Sequence, residues 1–268
     1  MPLHRTPLVR IGIFDSGVGG LTVLAAIRRR LPGVDLLYLG DTARVPYGGR
    51  GARTVKRYAL ECAQWLVDQG CDHVVIACNT ASAYGVEAVR SACSPLPVTG
   101  VVFAGAESAA SAAGAEGPIL VLATRGTVSS QAYLRALNET LPARQIRQRA
   151  CPLLVPLVEE GWPSGDVLDG VIDHYLSDLL RPTPAALILG CTHYPVLKEH
   201  LAKRLPEGLP IIDSSEAIAE TLEAMYPDAR VGAGHTRLCF TDDPEASRAA
   251  IQTIYPAGLS GADQVKLA

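Results

Sequence analysis

Apolar runs of strand length alternate with stretches of helical periodicity along most of this chain. Eight runs are predicted as strands, at residues 9–14, 36–39, 74–76, 98–103, 119–123, 187–189, 210–212 and 237–241. Apolar positions at helical spacing predict helices at 21–31, 53–69, 167–180, 195–205 and 244–254, with others ending near 93 and 141 and beginning at 104 and 213. Residues 258–268 show neither pattern and are predicted as a loose tail.

The alternation of strand and helix predicts an α/β fold with doubly wound parallel sheets. Two of the apolar runs end alike, because residues 74–80 and 187–193 each pass through a small residue to a cysteine and then to polar side chains. Ligand chemistry in parallel sheets gathers beyond the carboxyl ends of the strands. The pattern therefore predicts two α/β domains that face each other across a cleft, each contributing one thiol.

Composition and charge exclude several classes of protein. Hydrophobic residues make up 48% of the 268, which is too many for a largely disordered chain. The net charge is −3 and no basic block is present, so no nucleic-acid partner is expected. No apolar run reaches transmembrane length and residues 1–10 contain no signal core, so no membrane partner is expected and the expected location is the cytoplasm.

The seven cysteines are odd in number and form no CxxC pair, which fits reduced thiols and gives no reason to expect a metal site. Cys78 and Cys191 are the two at predicted strand ends. A helix is predicted after each, and the first free amide groups of a helix lower the pKa of a thiol. Two opposed thiols suit removal of a proton from one face of a carbon and its return to the other. The remaining five are predicted to be buried structural residues: Cys62, Cys71, Cys93, Cys151 and Cys239.

A glycine-rich stretch, residues 17–20, follows Asp15 and Ser16. Together with Asp41 it resembles a dinucleotide-binding loop, but Thr22 stands where that pattern has its third glycine. An acid at the end of the first strand would repel a pyrophosphate, whereas it suits an ammonium group or a partner in proton transfer. The alternative is that Asp15 caps the helix that follows.

Other polar side chains are weaker candidates for the site. His193 follows Cys191 by two residues and is a candidate to orient or assist that thiol, or else to cap a helix. Glu159 is a candidate partner for a histidine or a thiol across the cleft. Hydroxyl and backbone donors suited to carboxylates occur in two loops, at Tyr47, Gly48, Thr124 and Thr127.

Five stretches of this chain, in this order, resemble the glutamate racemase family of the aspartate/glutamate racemase superfamily. They are residues 14–20, 46–48, 77–82, 156–159 and 190–195. The resemblance extends over roughly residues 11–254. Each stretch alone is a modest signal, whereas the ordered set of all five is specific.

The resemblance implies a cofactor-independent enzyme that interconverts L- and D-glutamate and supplies D-glutamate for peptidoglycan. It implies that Cys78 deprotonates D-glutamate and Cys191 deprotonates L-glutamate. Asp15 and His193 would support the two thiols, with Glu159 near His193. The residues implied to contact the substrate are Asp15, Ser16, Tyr47, Gly48, Asn79, Thr80, Thr192 and His193, with Thr124 and Thr127 as further candidates.

The resemblance also implies how the chain is divided. One discontinuous domain would comprise residues 1–100 and 214–268, and the other residues 101–213. The partner would be a small-molecule substrate. The oligomeric state varies within the family, and a homodimer is one candidate.

Three other functions remain open on the sequence alone. An aspartate or hydantoin racemase would differ mainly in the pocket for the side chain. A cysteine hydrolase using His193 would need an oxyanion hole and one thiol, so it would keep its activity without Cys78. A nucleotide-binding module would use residues 17–20.

Overall fold

The chain forms two parallel β-sheets flanked by helices, as seen in a computed structural model that describes residues 9–256 and 261–267. The strands are β1 Arg10–Asp15, β2 Asp35–Gly40, β3 His73–Ile76, β4 Val98–Gly100, β5 Ile119–Ala123, β6 Ile146–Ala150, β7 Ala186–Gly190, β8 Ile211–Asp213, β9 Thr236–Phe240 and β10 Ala262–Gln264. One sheet has the order β10-β9-β2-β1-β3-β4 and the other the order β6-β5-β7-β8. Every strand pair is parallel, which confirms the predicted fold of two α/β parallel-sheet domains.

Helices connect successive strands. They are α1 Leu21–Arg30, α2 Ala52–Asp68, α3 Asn79–Cys93, α4 Val101–Ala112, α5 Arg125–Ser130, α6 Ala132–Thr140, α7 Leu154–Glu159, α8 Asp166–Leu176, α9 Lys198–Ala202, α10 Ser214–Met225 and α11 Arg248–Ile254. Short 3₁₀ turns cover Thr42–Arg44, Tyr194–Leu197, Pro227–Arg230 and Pro244–Ser247. None of the helices in the described ranges combines the length and the apolar character needed to span a membrane.

Alternation along the strands distributes the core into three apolar clusters. Ile13 of β1 and Leu122 of β5 belong to one cluster that contains residues of both sheets. Their neighbours Phe14 and Val121 point to the opposite faces and belong to separate clusters. Because successive side chains of a strand point to opposite faces, continuous apolar runs are required here. Through this shared cluster, the two sheets have part of their apolar core in common.

Both sheets reverse their strand order at a central strand. β1 lies between β2 and β3, and β5 lies between β6 and β7. A crevice forms outside the carboxyl ends of the strands at such a switch point. The loops after β1 and β3, and those after β5 and β7, are therefore placed to build a site.

Two predicted elements are wrong in part, and one strand is not predicted at all. The predicted strand at 98–103 ends at Gly100, because the alanine-rich residues that follow continue as α4 and draw Val101 and Val102 into it. Strand β6 has no predicted counterpart, since Arg147, Gln148 and Arg149 make this half-buried edge strand polar.

The predicted loose tail is also wrong where it is described. Residues 262–264 form β10, and the backbone N–H of Val265 donates to the carbonyl of Phe240 at 2.8 Å. Asp263 adds an ion pair to Arg237 at 2.8 Å. Residues 258–260 and 268 of the predicted tail, and residues 1–8 of the segment predicted to lack a signal core, lie outside the described residues.

Candidate active site

A cavity of about 310 Å³ lies at the carboxyl ends of both sheets, and Cys78 and Cys191 both line it. Its wall is built from loops that follow β1, β2, β3, β5, β6 and β7. Of the predicted site residues, those in the lining are Ser16, Tyr47, Gly48, Cys78, Asn79, Thr80, Thr124, Glu159, Cys191, Thr192 and His193. Asp15 and Thr127 are fully buried and are not among the lining residues.

Cys78 caps the first turn of α3. The sulfur accepts a hydrogen bond from the backbone N–H of Ala81 at 3.4 Å and lies 3.5 Å from Oγ of Ser16. Burial raises the pKa of Cys78 to about 12, with the Asp15 carboxylate adding to the rise and the Ala81 and Ser16 contacts opposing it. The helix amides act in the predicted direction, but burial outweighs them. The resting side chain is therefore a thiol.

Cys191 has different surroundings. Its sulfur lies 3.8 Å from Nδ1 of His193, and Nε2 of the same ring lies 2.9 Å from Oε1 of Glu159. Burial lowers the pKa of His193, but hydrogen bonds and charges from Cys191 and Glu159 outweigh it and raise that pKa to about 10. At neutral pH an imidazolium cation therefore sits beside Cys191, and a cation stabilises a neighbouring thiolate. The structure thus brings the three residues together as predicted from the sequence.

Asp15 lies behind the cavity wall at the end of β1. Its carboxylate accepts from the backbone N–H of Gly17 at 2.9 Å and from Oγ1 of Thr192 at 3.4 Å. Burial raises the pKa of Asp15, and the positive charge of His193 partly offsets this rise. Asp15 therefore connects the glycine-rich loop after β1 to the loop after β7 that carries Cys191.

The glycine-rich loop serves close packing between these loops. A Cβ at Gly19 would lie 2.6 Å from Nδ1 of His193 and would collide with Oγ1 of Thr192. Thr22, which breaks the dinucleotide pattern, has its Oγ1 3.1 Å from the carbonyl of Thr192 and accepts from Oγ of Ser215 at 3.0 Å. The space in which a pyrophosphate would approach the loop is thus filled by protein.

Asp41 also has a structural setting rather than a ribose-binding one. It is fully buried and accepts from the hydroxyl of Tyr47, from Nε of Arg44 at 2.7 Å and from Oγ1 of Thr241 at 2.9 Å. The Tyr47 hydroxyl is committed to this carboxylate. Tyr47 and Gly48 therefore offer the cavity their backbone, and this loop is held by Asp41.

Three threonine hydroxyls meet where the two sheets approach each other. Oγ1 of Thr80 lies 2.8 Å from that of Thr124 and 3.1 Å from that of Thr127, and the last two are 3.0 Å apart. Thr80 follows β3 in one sheet, whereas the other two follow β5 in the other. Only Thr80 and Thr124 reach the cavity lining.

Some lining residues have no counterpart among the sequence candidates. Arg125 is exposed at the cavity and brings a positive charge to it. Val45, Gly49, Pro152 and Val155 complete an apolar part of the wall. Apolar and glycine residues carry no chemical signature, so only proximity to the motifs at 46–48 and 156–159 signals them. In the part of the chain that the structure covers, no cluster of three or more histidine, cysteine or acidic side chains is suited to a metal ion.

Fold and cavity together define a two-sheet α/β protein with one thiol from each sheet in a shared site. Residues 18–222 match the family model described as Asp/Glu/Hydantoin racemase, and the chain belongs to that family. The family resemblance carried by the five sequence stretches is thereby confirmed.

Relatives of known name agree. The chain is 47% identical over 234 residues to a glutamate racemase of Aquifex aeolicus (strain VF5), covering 87% of this chain and 89% of that protein. The crystal structure of glutamate racemase from Francisella tularensis in complex with D-glutamate has a TM-score of 0.89 at 32% identity, covering 97% of this chain and 98% of that one. The Thermus thermophilus glutamate racemase in complex with beta-chloro-D-alanine has a TM-score of 0.86 at 41% identity, with the same coverage.

Proposed function

We propose that this protein is a glutamate racemase that interconverts L- and D-glutamate by moving the α-proton between Cys78 and Cys191. The observation that carries the proposal is one cavity lined by two thiols, one after a strand of each sheet. Its relatives' names supply the substrate. The product D-glutamate would serve peptidoglycan synthesis.

The proposed reaction starts with Cys191 as thiolate and Cys78 as thiol. The Cys191 thiolate takes the α-proton of L-glutamate from one face, and the electron pair of the C–H bond remains on the α-carbon. The Cys78 thiol then donates its proton to the opposite face, which gives D-glutamate and leaves Cys78 as thiolate. D-glutamate follows the same steps in reverse, with Cys78 as the base.

The carbanion requires stabilisation, because an amino-acid α-hydrogen is far less acidic than a thiol. Preorganised donors in a site that excludes water supply it. The donors we assign to the substrate carboxylates are the side chains of Asn79 and Thr80 and the free backbone N–H groups at the start of α3. Closure of the two domains around the substrate would exclude water.

The proposal extends to domain boundaries, location and assembly. We assign residues 1–100 and 214–268 to one domain and 101–213 to the other, since strands from 119 to 213 form one sheet and the remaining strands the other. The cytoplasm is the proposed location, because all seven cysteines are free and the chemistry needs reduced thiols. A homodimer is the proposed assembly, and light scattering on the purified protein tests it.

The experiment that tests the activity incubates purified protein with L-glutamate in deuterated water, with no cofactor added. We expect optical activity to be lost, deuterium to enter at the α-carbon, and both to stop on alkylation of the thiols. Exchange with aspartate but not with glutamate would support the mechanism and overturn the assignment of glutamate as the substrate. Failure of every amino acid tested would overturn the two-thiol mechanism.

Single variants then test each thiol. Cys78→Ser and Cys191→Ser are each expected to abolish racemisation, because a hydroxyl is a far weaker acid than a thiol. Cys93→Ser is the matched control, since Cys93 is a buried free thiol on α3, outside the cavity lining. Full racemisation by either single variant would overturn the two-thiol mechanism.

A further inference from the structure

A buried chain of hydrogen bonds runs behind the cavity from Tyr133 to Leu189. The Tyr133 hydroxyl donates to Oδ1 of Asn79 at 2.7 Å. Nδ2 of Asn79 lies 3.4 Å from Oγ of Ser214, which in turn donates to the carbonyl of Leu189 at 3.3 Å. Asn79 is 3% exposed and the other two side chains are fully buried. The chain therefore links the residue after Cys78 to a residue two positions before Cys191.

Two glycines make room for Tyr133. A Cβ at Gly190 would lie 3.1 Å from Cε2 of the tyrosine ring, and a Cβ at Gly105 would lie 3.2 Å from its hydroxyl. Both distances are tighter than ordinary van der Waals contact. The ring is thus enclosed by backbone of β7 and α4, and its hydroxyl is fixed in place.

The direction of each hydrogen bond follows from the donors and acceptors available. Ser214 gives its single hydrogen to the Leu189 carbonyl, so its Oγ accepts and the NH₂ group of Asn79 must face it. The amide oxygen then faces Tyr133, which must donate. Burial raises the pKa of Tyr133, so its hydroxyl keeps its proton. The second N–H of the Asn79 side chain is not used by this chain of hydrogen bonds, and Asn79 lines the cavity.

We propose that Tyr133 is a positioning residue that holds the Asn79 amide with its free N–H directed at a carboxylate of the substrate. The inference rests on the proposed function, because the ligand it concerns is an amino acid in the paired-thiol cavity. Without the tyrosine hydroxyl, the buried amide oxygen of Asn79 has no donor. The amide then rotates to satisfy it, which turns an acceptor oxygen toward the substrate carboxylate.

Tyr133→Phe tests the proposal with Tyr226→Phe as its control. Both remove one hydroxyl that makes a side-chain hydrogen bond. The hydroxyl of Tyr226 makes a part-buried one to Nδ1 of His73 at 2.8 Å, away from the cavity lining. For Tyr133→Phe we expect KM to rise about tenfold for L- and D-glutamate alike, with kcat within about twofold of the unaltered protein. Tyr226→Phe is expected to leave KM unchanged. An unchanged KM in folded Tyr133→Phe would overturn the proposal.

A double-mutant cycle separates positioning from a general loss of structure. In an Asn79→Ala background Tyr133 has no amide to hold, so Tyr133→Phe is expected to leave kcat/KM unchanged. If Tyr133→Phe lowers kcat/KM by the same factor in both backgrounds, the tyrosine does not act through Asn79 and the proposal is wrong.

Ser214→Ala provides a second route if Tyr133→Phe does not fold. It removes the acceptor for Nδ2 of Asn79, so the same rise in KM and the same dependence on Asn79 are expected. Additive losses in the Ser214 cycle would overturn the proposal. Absence of racemisation by the unaltered protein would overturn the proposed function and this inference together, whereas racemisation with additive cycles would overturn the inference alone.

Discussion

At the scale of single residues, the two thiols of this site have opposite electrostatic neighbours. Cys78 lies near the carboxylate of Asp15, which adds to the effect of burial in raising the pKa of the thiol. Cys191 lies beside His193, whose raised pKa keeps it cationic at neutral pH. In the free protein, burial and the Asp15 carboxylate therefore keep the proton on the sulfur of Cys78. This is the state that accepts L-glutamate in the proposed mechanism.

Glu159→Gln tests this assignment. Glu159 helps to raise the pKa of His193 to about 10, so activity that needs the imidazolium is present below that pH and is lost above it. Removing the carboxylate is expected to move the alkaline limb of the kcat/KM profile to lower pH by roughly half a unit, because a partly exposed ion pair contributes about 0.2–1 kcal/mol. The measurement is kcat/KM from pH 7 to 10.5, at roughly half-unit steps that match the size of that shift.

Glu160→Gln is the control, since Glu160 is the exposed neighbour at the end of α7. Ionisation of the substrate ammonium affects all three proteins equally, so only the difference between profiles is interpreted. An alkaline limb that stays in place in Glu159→Gln would show that His193 does not set it.

At the scale of elements, the glycine-rich loop after β1 and the loop after β7 are packed so closely that Gly19 leaves no room for a larger side chain. Gly19→Ala is expected to lower kcat/KM at least tenfold and to cost about 1–3 kcal/mol of stability, since its Cβ would displace Thr192 and His193. Kinetics and urea unfolding measure the two effects. Gly51→Ala serves as control because a Cβ there meets nothing within 4 Å. Equal kinetics for the two variants would show that the loop contact is dispensable.

A second prediction concerns His73, which joins three elements. It begins β3, and its ring nitrogens contact Thr99 of β4 at 2.7 Å and Tyr226, at the end of α10, at 2.8 Å. Burial lowers the pKa of His73 from 6.5 to about 4. Between these values the unfolded chain binds a proton that the folded protein does not, so stability contributed by neutral His73 is present above pH 6.5 and is lost as the pH falls toward 4.

The loss amounts to roughly 3 kcal/mol, at about 1.4 kcal/mol for each pKa unit. Urea unfolding from pH 7 to 4.5 measures it, and His73→Gln is expected to be less stable at pH 7 but to show a shallower decline with acid. The exposed His174 provides the comparison, as His174→Gln should retain the slope of the unaltered protein. The same slope in His73→Gln would place the acid-sensitive group elsewhere.

The strands that are buried on both faces are predicted best from the sequence, and two strands that are not are missed. β3, β5 and β7 are continuous apolar runs, and their positions are predicted to within a residue or two. Strand β6 is a half-buried edge strand rich in polar residues, so it lacks the apolar signal. Strand β10 is stabilised by pairing with β9, a tertiary contact that local pattern does not report.

The candidate site likewise contains residues that the sequence predicts and residues that it misses. Cys78, Cys191, His193 and Glu159 belong to recognisable motifs, and the structure brings them to one cavity. Tyr133, Ser214 and Thr22 carry no motif of their own. Their partners lie 54, 135 and 170 residues away in sequence, so only the folded chain shows that they contact residues of the site.

At the scale of the whole molecule, charge at the cavity favours an anionic substrate. The net charge of the chain is −3, which repels glutamate at long range. Arg125, the first residue of α5, is exposed in the cavity lining and opposes this repulsion at the cavity. Its contribution should therefore depend on ionic strength.

Arg125→Gln is expected to raise KM several-fold at low salt, with a smaller rise at 0.5 M salt, because the screening length falls from about 10 Å at 0.1 M to a few ångströms at higher salt. Arg135→Gln, at an exposed arginine of α6 outside the cavity lining, makes the same change in net charge. KM values measured at several salt concentrations decide the matter. Identical behaviour of the two variants would assign the effect to net charge and not to Arg125.

The unequal surroundings of the two thiols have a consequence for how turnovers follow one another. Enantiomers have equal free energy in water, so kcat/KM must be the same in both directions. The unequal surroundings of the two thiols can therefore change kcat between the directions only if KM changes by the same factor. In the proposed mechanism, once L-glutamate has reacted, the proton rests on Cys191 beside the imidazolium and the charge on Cys78 near Asp15. Proton exchange with water must return Cys191 to the thiolate and Cys78 to the thiol before another L-glutamate is accepted. During that interval, the protonation state of the two cysteines depends on which enantiomer the enzyme converted last.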